Sequence, residues 1–105
     1  MNEKINRLAR ELRNALQKSF KDFEGLYVFG SHARGTAHKD SDVDIVILFK
    51  TTHKNESDEY YRIISKLMYD YGVMLDIHLR TREQLEFNYL FHDEVVNKGV
   101  FYDAA

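Results

Sequence analysis

One stretch limits what this chain can fold into more than any other. Val28-Phe29-Gly30-Ser31-His32-Ala33-Arg34-Gly35 is followed by Asp40-Ser41-Asp42-Val43-Asp44-Ile45-Val46-Ile47. A hydrophobic run enters a Gly-Ser turn, and a second hydrophobic run opens with two carboxylates one residue apart. Alternate residues of a strand share a face, so Asp42 and Asp44 project together beside the turn. Paired carboxylates are oxygen ligands of the kind Mg²⁺ takes, and Mg²⁺ commonly completes its shell with substrate phosphates. The turn offers backbone N–H groups and a hydroxyl to an anion. Gly30 permits close backbone approach and Ser31 Oγ can donate to a phosphate oxygen. A purely structural role is also open to Ser31, as the N-cap of a following helix.

The periodicity on either side predicts alternating helices and strands. Ile5, Leu8, Ala9, Leu12, Ala15, Leu16 and Phe20 recur at helical spacing, which predicts an amphipathic helix over about residues 2–20, broken off by Gly25. Leu26–Phe29 is a short buried strand, Ser31–Arg34 begins a short helix, and Ile45–Phe49 is apolar enough to be covered on both faces. Residues 51–55 form a polar loop. Tyr60, Ile63, Ile64, Leu67, Met68 and Tyr71 mark a second long helix stopped by Gly72. Val73–Leu79 is a third strand and carries Asp76. Thr81-Arg82-Glu83-Gln84 fits a capping box opening a helix that runs to about Lys98, with a break near Asn88. Gly99 ends it, and Val100–Tyr102 adds a short edge strand. The expected fold is α/β in the α+β sense: a small mixed sheet with helices packed against it, in one domain over residues 1–105.

Composition narrows the function classes. The 105 residues carry a net charge of −2, so no general field draws the chain to nucleic acid or membrane. There is no Cys, hence no disulfide framework and no thiolate metal site. No apolar stretch approaches the ~18 residues of a membrane span, and the start lacks the apolar core of a signal peptide. A cytoplasmic protein is the expectation. His32, His38, His53, His78 and His92 form no ligand-spaced cluster. His32 lies within the turn, and His78 shares a strand face with Asp76. Phe87, Tyr89, Phe91, Phe101 and Tyr102 read as core, any exposed part being a partner surface.

The Gly-Ser turn followed by Ser41-Asp42-Val43-Asp44, with Asp76 inside Met74-Leu75-Asp76-Ile77, resembles the signature of the DNA-polymerase-β-like nucleotidyltransferases. It is most similar to their small bacterial and archaeal branch, the minimal nucleotidyltransferases or MNT proteins. The resemblance runs from the leading helix to Glu94–Tyr102. It implies the polymerase-β-like nucleotidyltransferase fold and a catalytic triad of Asp42, Asp44 and Asp76 binding two Mg²⁺ ions. In such sites two metals ~3.5–4 Å apart clamp the attacking and leaving oxygens of an in-line displacement. Asp76 flanked by Leu75 and Ile77 supports this, because a carboxylate is costly to bury unless paired or metal-bound; a wet strand face is the alternative. Gly30 and Ser31 would receive the β- and γ-phosphates of ATP. Two roles are open to Arg34: a nucleotide contact, or a pair with an acidic residue near the strand ends.

The implied activity is transfer of a nucleoside monophosphate, AMP from ATP, to an acceptor hydroxyl. Larger relatives carry an acceptor-binding domain, so this chain is expected to find its acceptor on another molecule or in a dimer. The MNT branch commonly pairs with HEPN-domain RNase toxins as antitoxin and can adenylylate a tyrosine of the toxin. The alternative is a weakly catalytic nucleotide-binding antitoxin that neutralises its partner by occlusion. A drug-modifying transferase lacks its acceptor domain here, and polymerisation lacks a basic stripe for a nucleic-acid backbone.

Overall fold

A computed structural model describes residues 1–51 and 57–104. Apart from Thr51, the expected polar loop lies outside the described residues, as does His53. Helix α1 spans Glu3–Ser19, and its first turn is capped by Asn2, whose side chain accepts the Ile5 N–H at 2.9 Å. Strand β1 spans Phe23–Phe29, α2 Ser31–Arg34 and β2 Val43–Phe49. Helix α3, Asp58–Tyr71, starts at Ser57, which accepts the Tyr60 N–H, and stops at Gly72, whose N–H donates to the Met68 carbonyl. Strand β3 is Leu75–Arg80 and α4 is Arg82–Phe87. Both halves of the expected capping box are present, Thr81 Oγ1 accepting from the Gln84 N–H and Gln84 accepting from the Thr81 N–H. The chain breaks at Asn88, which caps α5 (Tyr89–His92); a π-helical turn follows over Asp93–Asn97, and β4 over Val100–Asp103.

The strands form one mixed sheet in the order β3-β2-β1-β4. β1 runs antiparallel to β2 and β4, while β3 lies parallel to β2, the two joined through α3. One face carries Leu26, Val28, Val43, Ile45, Ile47 and Phe49, covered by the apolar stripes of α1 and α3. The other face presents Tyr27, Phe29, Val46 and Leu48 to Leu85 of α4 and Val95 of the π-helical turn. Strand β2 is therefore buried on both sides, as its unbroken apolar run predicts. Each Leu or Ile fully withdrawn from water here contributes roughly 1.5–3 kcal/mol.

Two expectations change. Gly25 does not end the first helix, which has already stopped at Phe20 in an extended conformation. It sits inside β1 at φ 146°, at a register irregularity, and a Cβ there would lie 2.7 Å from the Phe101 ring and 2.9 Å from the Tyr102 carbonyl oxygen. Gly25 is needed for the close approach of β4. The aromatic tail also divides. Tyr102 is buried, and Phe101 stacks on Tyr27 with centroids 4.6 Å apart. Phe87 and Tyr89, by contrast, are 93% and 78% exposed, because the break at Asn88 leaves α4 and α5 too short to turn every apolar residue inward.

Candidate active site

Because β1 is antiparallel to β2, its C-terminal end meets the N-terminal ends of β2 and β3, and Phe29 is the register partner of Asp44. Asp44 is in turn the register partner of Asp76 on β3. The turn, one carboxylate of the Asp-x-Asp pair and the third carboxylate thus lie in line across three strands. All face the side covered by α4 and α5, since Asp44 alternates with Val46 and Leu48, and Asp76 with His78 and Arg80.

Gly30 adopts φ 74° and ψ −152°, a region essentially reserved for glycine. The reason is local: a Cβ at this position would collide with Asp44 Oδ2. The group that closes on Gly30 in the described structure is the Asp44 carboxylate. Gly30 occupies the cap position of α2 and makes no side-chain cap bond, so Ser31 is the first helical residue and does not serve as the N-cap. Ser31 is half-buried; its carbonyl accepts the Thr36 N–H at 3.0 Å, while the Gly30 carbonyl accepts the Arg34 N–H at 3.1 Å.

The Asp76 side chain lies within hydrogen-bonding reach of Asp44, and the Asp44 carboxyl lies above the usual carboxylate range. Burial is the largest cause, followed by the hydrogen bond and charge of Asp76; His78 pulls the other way and Asp42 adds to the rise. Asp42 is exposed just before β2, close enough for its charge to act on Asp44. Among the described residues no three His, Cys, Asp or Glu side chains are grouped so as to hold a metal ion. The structure therefore joins two of the three expected carboxylates and leaves Asp42 beside them.

Arg34 forms an ion pair with Glu94 of the π-helical turn, the second of the two roles open to it. His32 Nε2 lies 3.1 Å from the Ser41 carbonyl oxygen, and Ser41 Oγ accepts the His38 N–H at 3.0 Å, so the turn and its histidine fix the loop that delivers Asp42. His78 lies beside Asp76, as their spacing predicts, with Nε2 3.6 Å from Asp76 Oδ2. Glu94, Phe91 and the His32–Ser41 contact carry no local sequence signal; only the long-range fold brings them here.

The small mixed α+β sheet shares its fold with a solved structure named "putative minimal nucleotidyltransferase", at TM-score 0.56 and 22% identity over 91% of this chain and 93% of that one. The chain belongs to the nucleotidyltransferase domain family, whose profile matches residues 9–102. A Methanocaldococcus jannaschii protein named "putative protein adenylyltransferase" is 29% identical to it over 94% of this chain and 96% of the relative. Two further solved structures share the fold. A toxin–antitoxin structure with AMP-PNP aligns at TM-score 0.61 and 24% identity, over 89% of this chain and 70% of that one. A structure of a tri-AMPylated Shewanella oneidensis HEPN toxin in complex with its MNT antitoxin aligns at TM-score 0.56 and 19% identity, over 91% and 69%. No helix among the described residues is long and apolar enough to cross a membrane.

Proposed function

We propose that this chain is a Mg²⁺-dependent adenylyltransferase that moves AMP from ATP onto a hydroxyl of a HEPN-type protein and so acts as a cytoplasmic antitoxin. The observation that carries the reading is the Asp44–Asp76 pair, two carboxylates brought side by side on adjacent parallel strands. A divalent cation would offset the repulsion between them, and an all-oxygen donor set is what Mg²⁺ selects. Asp44 and Asp76, with Asp42 next to them, are the residues that would hold it. When bound, Mg²⁺ neutralises charge on the transferring phosphoryl group and favours ionisation of the attacking hydroxyl.

The chain's own residues do the rest. Ser31 Oγ donates to an oxygen of the triphosphate, and Gly30 keeps the Asp44 carboxylate seated next to it. The acceptor hydroxyl oxygen forms a bond to the α-phosphorus, the bond from that phosphorus to the bridging oxygen breaks, and pyrophosphate leaves with the electron pair. The hydroxyl proton passes to solvent. The named function of the archaeal relative and the AMPylated toxin in a fold neighbour support adenylyl transfer to protein.

The test is incubation of the purified chain with ATP labelled at the α-phosphate, Mg²⁺ and a HEPN-type partner protein. Label should move to the partner with the wild type and not with Asp44→Asn. Neutralisation of the partner by both proteins without label would overturn transfer in favour of occlusion.

A further inference from the structure

The side of the sheet that bears Asp44 and Asp76 also holds a cluster of three rings from three different elements. Phe29 of β1, His78 of β3 and Phe91 of α5 contact one another, with centroids 5.8 Å apart for Phe29–His78, 5.5 Å for Phe29–Phe91 and 5.6 Å for His78–Phe91. The Arg80 guanidinium lies over the Phe91 ring at 5.9 Å. Edge-on contacts of this kind hold a ring in place and suit phenylalanine as well as histidine. Packing therefore gives no reason for an imidazole at position 78.

The reason lies at the polar edge of that ring. His78 Nε2 is 3.6 Å from Asp76 Oδ2, and the Asp76 side chain is 55% exposed, with the Asp44 carboxylate as its other neighbour. An exposed carboxylate with one like-charged neighbour swings toward water unless something attracts it. With the proton on Nε2, the imidazole presents a positive edge to the Asp76 carboxylate. We infer that His78 is a positioning residue for Asp76, its ring clamped by Phe29 and Phe91 so that Nε2 holds the Asp76 carboxylate in the site. The inference rests on the reading of Asp76 as a working carboxylate. It makes the three-ring cluster part of the site: α5 reaches Asp76 through Phe91 and His78. Partners that orient a ligating side chain in this way are typically worth about 10–100-fold in metal affinity or activity.

Two substitutions separate packing from polarity. His78→Phe completes an all-phenylalanine cluster and removes Nε2; His78→Gln keeps an N–H donor and gives up the ring. Mn²⁺ affinity, measured on the metal alone by electron paramagnetic resonance, and pyrophosphate release from Mg²⁺–ATP in the presence of a HEPN-type acceptor protein are read beside thermal melting. His78→Phe should melt at or above the wild-type temperature, bind Mn²⁺ about tenfold more weakly and lose about tenfold or more in kcat, with KM for ATP within about twofold. His78→Gln should melt lower yet bind Mn²⁺ more tightly than His78→Phe. Wild-type Mn²⁺ affinity in His78→Phe overturns the inference, as does a wild type that binds no Mn²⁺. A wild type that binds Mn²⁺ but releases no pyrophosphate refutes nucleotidyl transfer, and the Mn²⁺ comparison still decides the role of His78.

Discussion

Asp44 and Asp76 face each other as register partners on parallel strands, with their carboxylates close enough to interact. The sign of the consequence for stability follows from Asp44, whose carboxyl titrates above its ordinary range because burial and Asp76 disfavour its charge. The folded state holds the Asp44 carboxyl proton more tightly than the unfolded chain does. Its contribution to stability is therefore complete below the unfolded carboxylate range and is lost as pH rises through the folded value. Asp44→Asn should stabilise the cation-free protein at pH 7 and lose that advantage near pH 4. The gain should stay below about 1 kcal/mol, because water reaches and screens the pair. Thermal melts across pH in the presence of a chelator check this. Wild-type and variant midpoints that stay equal at pH 7 would remove the like-charge strain from the site.

Gly30→Ala places a methyl group against Asp44 Oδ2 in a backbone conformation that L-residues avoid. The backbone alone costs about 1–3 kcal/mol. The carboxylate must also move, so transfer activity should fall further than the stability loss explains. Chemical denaturation and label transfer, run on the same preparations, give the two numbers.

Arg34 is bound to Glu94 through an exposed ion pair, and such pairs contribute about 0–1 kcal/mol. Arg34→Ala should therefore barely change stability. If its guanidinium turns to a phosphate when ATP is present, affinity should drop by about 1.5–3 kcal/mol, as for hydrogen bonds to charged groups. Calorimetric titration with Mg²⁺–ATP distinguishes the roles: unchanged affinity assigns Arg34 to Glu94 alone.

Leu85 and Phe87, two residues apart on α4, should respond in opposite ways. Leu85 is 3% exposed against Tyr27, Phe29, Val46 and Leu48, so Leu85→Ala should cost about 2–5 kcal/mol. Phe87 is almost wholly in water, and Phe87→Ser should stay within about 0.5 kcal/mol of wild type. Urea denaturation measures both.

These contrasts show which parts of the molecule were legible before folding. Strand parity places Asp44 on the face of its neighbours Val46 and Leu48, and the i, i+2 spacing puts His78 next to Asp76. Capping chemistry is equally local, and Thr81–Gln84 and Gly72 act where the sequence predicts. Gly25 misleads because a helix stop and a strand's close approach both call for glycine, and only β4, far along the chain, decides between them. The Arg34–Glu94 and His32–Ser41 contacts depend on where loops arrive. The exposure of Phe87 depends on a helix break that periodicity locates but cannot orient.

β4 lies beside β1 although residues 30–99 separate them, Leu26 pairing with Tyr102 and Val28 with Val100. Tyr102 also reaches α1, donating its hydroxyl hydrogen to Asn6 Oδ1 at 2.7 Å. During synthesis β1 therefore emerges long before the strand that closes its outer edge, and until residues 100–103 leave the ribosome it presents unpaired backbone to the surroundings. An open, apolar edge of this kind invites pairing with other chains. Nascent chains stalled before Val100 should be the aggregation-prone and chaperone-bound species, so production of this protein is most vulnerable at the last few codons of the sheet.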